Sequence, residues 1–118
     1  MIGGGYGSIG GGLPYAIGAS ISLNNGLVYC ITGDGGLQMN IQEQKTIVRE
    51  KLPVKIIVIN NHVWGKISEI QHDSYNDRYA QTTAENGYIV PDFEKIAEAY
   101  GIKAATIPLY RELKYIKE

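Results

Sequence analysis

The sequence has a single cysteine, Cys30, and almost no excess charge of either sign: Lys and Arg total 11, Asp and Glu 12, for a net charge of -1. One thiol excludes an internal disulfide framework. Its place in an apolar run suits a buried small hydrophobe, and a reducing cytoplasm is the expected location. Without a basic stripe or an acidic tail, no nucleic-acid partner is expected. No apolar run approaches the roughly 18 residues of a membrane span, and no signal peptide is read, so no membrane partner is expected. Several chemical motifs are also lacking. No G-K-[ST] occurs, which excludes a Walker phosphate loop. His62 and His72 have no Cys or further His at zinc spacing and read as solvated loop residues. No Ser-centred nucleophile elbow is present.

What the sequence does have is glycine. Fifteen of 118 residues are Gly, and eight of these fall in the first 18, against a usual share of about 7%. Bare backbone is therefore concentrated at the start. The length allows one domain, 1–118, large enough to bury well over half its surface.

Residues 1–12 read as a glycine loop and 13–23 as a helix, with Pro14 tolerated in its first turn. Residues 24–26 form a turn. Residues 27–32 are a continuous apolar strand, expected to be buried on both faces, and 33–36 a second glycine loop. Asn40 is placed to cap a helix over 41–51, and Pro53 follows its end. Residues 54–59 (VKIIVI) are a second strand. A short helix is expected over 64–71, then a long polar loop over 72–91. Asp92 and Gly101 bracket a helix, followed by a third strand over 102–107 and a helix stub over 111–117. Trp64 and Tyr79 read as core or interface residues.

Strands alternating with helices imply parallel crossovers and an α/β sheet. Ligands of such sheets bind beyond the carboxyl ends of the strands. Asp34 and Asn61 both lie there, after different strands. Asp34 sits between glycines where a charge is costly unless compensated, so it is either a turn residue or part of a ligand site. Gly5-Tyr6-Gly7-Ser8-Ile9-Gly10 fits G-x-G-x-x-G, with Asp34 following Gly10 by 24 residues. A dinucleotide-binding domain needs a strand immediately before that motif, and only 1–4 precede it.

The pairing of Gly33-Asp34-Gly35 with Asn60-Asn61, across a helix and a strand, is more specific. It resembles the thiamine diphosphate signature. Mg²⁺ takes hard oxygen ligands in an octahedron. One carboxylate, one amide oxygen, one backbone carbonyl, diphosphate oxygens and water would supply them. Glycines let backbone N–H groups approach the diphosphate, and the following helix start favours its charge.

The resemblance extends along the chain. GDGGLQMNIQEQKTIVREKLPVKIIVINN is similar to the C-terminal, diphosphate-binding domain of the acetolactate synthase and pyruvate decarboxylase family, with GSIGGGLPYAIGAS upstream and PDFEKIAEAYGIKA downstream matching further family segments. It implies a three-layer α/β sandwich with a parallel sheet, here incomplete. It implies Mg²⁺ ligation by the Asp34 and Asn61 side chains and the Val63 carbonyl. Gly35, Gly36 and Leu37 would present amides to the diphosphate, and many relatives carry Ser where Gly36 stands. Gly7 would accept from the aminopyrimidine, and Ile9 would prop the cofactor in its bent form. Ser8 and Gly33 complete the implied contacts. Gln38, Met39 and Glu43 read as helix start and packing.

The implied activity is decarboxylation or carboligation of 2-oxo acids. Lys66 stands where acetolactate synthases usually have Met, and Ile70 near where they carry a substrate-shaping Trp. The activating Glu of the family belongs to a pyrimidine-binding domain, usually reached across a dimer, and no catalytic residue is assigned within this chain. The resemblance therefore implies a truncated domain or one partner of a split enzyme, homo-oligomeric when complete, inactive alone and with an exposed apolar sheet face. A non-catalytic remnant serving as an interaction module stays open as an alternative, as does the dinucleotide reading.

Overall fold

The computed structural model describes residues 7–107. Helix α1 (Gly12–Ser22) begins just inside the glycine loop and leads through a turn at Asn24 and Asn25, both left-handed, to strand β1 (Val28–Gly33). The buried Ser20 hydroxyl donates to the Gly26 carbonyl and closes that turn. Next come helix α2 (Asp34–Gln38), a 3₁₀ turn (Ile41–Glu43), helix α3 (Gln44–Glu50) and strand β2 (Val54–Ile59). Helix α4 (Gly65–Tyr75), a second 3₁₀ turn (Ala84–Asn86) and helix α5 (Phe93–Ala99) follow.

β1 and β2 pair in parallel, from Val28 opposite Val54 to Gly33 opposite Ile59. The crossover thus sets the two strands side by side and ends them together, as the alternation of elements predicts. One sheet face carries Cys30 into a core with Leu13, Ala16 and Ile17 of α1, Leu37 of α2, Ile47 of α3 and Leu52. Val28, Val54, Ile56, Val58 and Phe93 pack at its margin. Burial pushes the Cys30 thiol pKa up, as suits an inert core residue.

The other sheet face is open. Tyr29 and Ile31 are 62% and 68% exposed, Ile57 and Ile59 43% and 58%. β1 is therefore not buried on both faces, because among the described residues the core helices pack on one side only. A continuous apolar strand records what the sheet can bury, not what lies over it. The exposed apolar face expected for this chain is present.

Four further expectations change. The loop read at 33–36 is mostly the start of α2, its helical turn anchored by the buried Leu37. Asn40 makes no side-chain cap; its amide donates to the Gly10 carbonyl at 3.0 Å instead, and the helix it precedes opens as 3₁₀. α4 continues past residue 71 to Tyr75 and stops where Asn76 and Asp77 turn left-handed, so the expected loop is shorter. Residues 102–107 form no strand; among the described residues the sheet has two strands and offers them no ladder. Residues 1–6 of the glycine loop and the helix expected over 111–117 lie outside the described residues.

Candidate functional site

The parallel register brings the ends of β1 and β2 to one edge, and a cleft of about 250 Å³ opens there. Of the ten residues that the resemblance implies as cofactor or metal contacts, seven line it: Ile9, Gly33, Asp34, Gly35, Gly36, Asn61 and Val63. Three do not. Gly7 and Ser8 are exposed on the loop before α1, and the Leu37 side chain is in the core beneath. A larger depression beside Glu98 and Ile102 has no buried lining residue.

Asp34 is 2% exposed. Its Oδ1 accepts from the Gly35 amide at 3.0 Å, while its Oδ2 is buried with no hydrogen-bond partner among the described residues. Buried carboxylate oxygens are costly unless paired or bound to a cation, so this atom marks the place where a cation fits. Asn61 is exposed at the other wall, and its Oδ1 accepts from the Val63 amide at 3.2 Å. His62 between them is left-handed, which folds Asn61 and Val63 into one tight turn. The donor set is hard and sparse, one carboxylate with amide and carbonyl oxygens. No cluster of three His, Cys, Asp or Glu side chains occurs among the described residues. Such a set suits Mg²⁺ that shares its shell with phosphate oxygens and water, rather than zinc or an all-protein cage.

The backbone around Asp34 is closely approached. A Cβ on Gly35 would lie 3.0 Å from the Trp64 indole, and one on Gly36 2.9 Å from the Thr32 hydroxyl. Gly10 has φ +85, and a Cβ there would strike Met39 at 2.5 Å. With Asn40 holding its carbonyl, this glycine fastens the first loop to the end of α2.

Trp64 lines the cleft and packs against Tyr88, a contact that the sequence did not reveal. Their rings meet edge-to-face at 6.1 Å, and Gln38 donates to the Tyr88 hydroxyl at 3.0 Å. Burial, then the charge of Asp34, raises the Tyr88 pKa. Trp64 was read as core or interface, Gln38 as packing, and Tyr88 lay in a loop with no periodicity; only contacts spanning half the chain unite them. Lys66 stands at the rim, its pKa raised by a hydrogen bond to Glu69 and by that residue's charge.

Comparison with known proteins gives a consistent result. Residues 1–117 match the family described as thiamine pyrophosphate enzyme, C-terminal TPP binding domain. An acetolactate synthase large subunit of Pyropia yezoensis is 50% identical over 103 residues, 87% of this chain and 17% of that protein. An acetolactate synthase of Arthrospira platensis is 42% identical over 107 residues, covering 91% and 18%. In three dimensions the chain is similar to a Rhodococcus jostii thiamine diphosphate-dependent 4-hydroxybenzoylformate decarboxylase, with TM-score 0.79 and 25% identity over 92% of this chain and 20% of that one. The chain spans about a sixth of the length of the curated relatives it matches. The glycine-lined cleft at the parallel strand ends, with its buried carboxylate, accords with these matches, and the chain belongs to the thiamine pyrophosphate enzyme family as its C-terminal, cofactor-binding domain.

Proposed function

We propose that this chain is the thiamine diphosphate- and Mg²⁺-binding portion of an acetolactate synthase-like enzyme acting on 2-oxo acids, by decarboxylation, carboligation or both. One observation carries the metal reading: among the described residues no donor lies within hydrogen-bond geometry of the buried Oδ2 of Asp34, and Asp34 lines a cleft together with Asn61 and Val63. Asp34 and Asn61 would hold Mg²⁺ through side-chain oxygens and Val63 through its carbonyl. Gly35, Gly36 and Leu37 would turn backbone amides to the diphosphate, with Gly33 allowing the approach. Gly7, Ser8 and Ile9, on the loop fastened by Gly10 and Asn40, would meet the pyrimidine side. Bound there, the cofactor supplies a nucleophilic carbon able to add to a 2-oxo acid and accept the electrons left by carbon dioxide.

The chain's own contribution is binding, orientation and charge compensation. Among the described residues that line the cleft Asp34 is the one carboxylate, and the metal would occupy it. The activating carboxylate is therefore assigned to a pyrimidine-binding domain or subunit, and turnover to a homo-oligomeric assembly that includes it, in the cytoplasm. Lys66 at the rim, paired with Glu69, replaces an apolar residue of acetolactate synthases, so the substrate is assigned only as a 2-oxo acid.

Calorimetric titration with thiamine diphosphate in the presence and absence of Mg²⁺ tests the reading. Saturable, Mg²⁺-dependent binding that disappears in Asp34→Ala is expected. Binding indifferent to that substitution would reject the site, and no binding even with a pyrimidine-binding partner supplied would favour a non-catalytic interaction module.

A further inference from the structure

The loop between α4 and α5 is folded back onto the cleft. Val63 and Thr83 form an antiparallel bridge, the Trp64 amide donates to the Thr82 carbonyl at 2.9 Å, and the Tyr88 amide to the Thr83 carbonyl at 2.9 Å. Thr82 is itself buried, its hydroxyl donating to Gln71 of α4 at 2.6 Å. These bonds deliver Tyr88 across the chain to α2. There its ring meets the edge of Trp64, its hydroxyl accepts from Gln38, and Trp64 in turn lies against Gly35, where a Cβ would be only 3.0 Å from the indole.

We propose that Tyr88 is a positioning residue for the metal–diphosphate site, acting through Trp64 and Gln38 to hold the turn that carries Asp34, Gly35 and Gly36. The inference rests on the cofactor reading above and adds a part that the cofactor does not touch. α2 is one short, glycine-rich helix, and glycine is a poor helix former. Little in its own sequence holds it rigid. Leu37 fixes it from the core side, and Tyr88 holds it from outside the core through Gln38 and Trp64. A turn held in its binding geometry before the ligand arrives loses less entropy on binding, so the brace acts on affinity more than on folding. The tyrosine ring supplies packing and its hydroxyl supplies direction, and the two contributions are separable.

The test uses the full chain, and Trp64, its only tryptophan, reports on the brace. Titration with thiamine diphosphate at fixed Mg²⁺ is followed by Trp64 fluorescence and calorimetry, with thermal midpoints measured in parallel. Tyr88→Phe keeps the ring and loses the hydroxyl. It should weaken binding about three- to tenfold, the worth of one hydrogen bond, while the ligand-free thermal midpoint falls by only a few degrees, since the same bond is made in the free chain. Tyr88→Leu should weaken it further and shift Trp64 emission to the red before any ligand is added. Gln38→Leu combined with Tyr88→Phe should lose no more than either change alone, because they break the same bond. Wild-type affinity in both Tyr88 variants would overturn the inference while leaving the cofactor reading intact. So would a loss of affinity that disappears when each variant is titrated well below its own thermal midpoint. A wild-type chain that binds nothing even with a pyrimidine-binding partner supplied would reject the cofactor reading and the positioning role with it.

Discussion

Asp34 keeps one oxygen on the Gly35 amide and leaves the other buried, with no hydrogen-bond donor among the described residues. Asp34→Asn retains the first bond and removes the charge. The ligand-free thermal midpoint should therefore hold or rise. The stabilisation expected from Mg²⁺ and thiamine diphosphate, about 2.7 kcal/mol at a hundredfold excess over Kd, should vanish. Thermal unfolding with and without ligand checks both, and a variant markedly less stable without ligand would contradict the account. Far from the cleft, His72 shares a hydrogen-bonded cluster with Asp77 and Tyr79. The hydrogen bond and charge of Asp77 raise the His72 pKa above its ordinary 6.5, and His72 and Tyr79 lower that of Asp77 below 3.8. The raised His72 contributes stability below 6.5 and loses it as pH climbs through the folded value. The lowered Asp77 contributes above 3.8 and loses it as pH falls through its own. The clasp is thus complete between those two ordinary values. An NMR titration should find His72 titrating above 6.5 and returning toward it in Asp77→Asn or at high salt, since both groups are exposed.

Helix ends show how far local chemistry was legible. α5 begins where Asp92 accepts from the Lys95 amide. It ends in a Schellman arrangement, with Gly101 donating to Glu98 and Ile102 to Ala97. Both ends were visible because one residue type does each job. α3 ends the same way, with Leu52 donating to Ile47, but the left-handed position holds Lys51 at φ 52. Lys51→Gly should relieve that strain and raise stability by about 1 kcal/mol in urea unfolding. Other boundaries were hidden. α2 is a helix against its own glycine propensity, because Leu37 is buried and Trp64 packs on Gly35. α4 outruns its last aliphatic residue, Ile70, through the polar run 71–74 to Tyr75, and stops only where the backbone turns left-handed. Residues 102–107 have strand-like composition, but a strand exists only where a neighbour pairs with it.

At the scale of the whole molecule, the parallel α/β arrangement and the meeting of Asp34 with Asn61 followed from short motifs plus the crossover rule. The aromatic brace did not follow, because Gln38 and Tyr88 are 50 residues apart and join only in the folded chain. The two sheet faces should respond differently to mutation. Leu13→Ala, at a position 2% exposed, should cost about 2–5 kcal/mol. Ile31→Thr with Ile57→Thr should leave the unfolding midpoint nearly unchanged and reduce self-association in sedimentation, since exposed apolar patches favour association. The central claim, a cation held at Asp34 between the two strand ends, is tested most directly by substituting Mn²⁺ for Mg²⁺ and mapping paramagnetic broadening of the amide resonances. With thiamine diphosphate present, broadening should centre on residues 33–37 and 61–64 and vanish in Asp34→Asn. Broadening centred elsewhere, such as on the His72 and Asp77 cluster, or unchanged by Asp34→Asn, would contradict it.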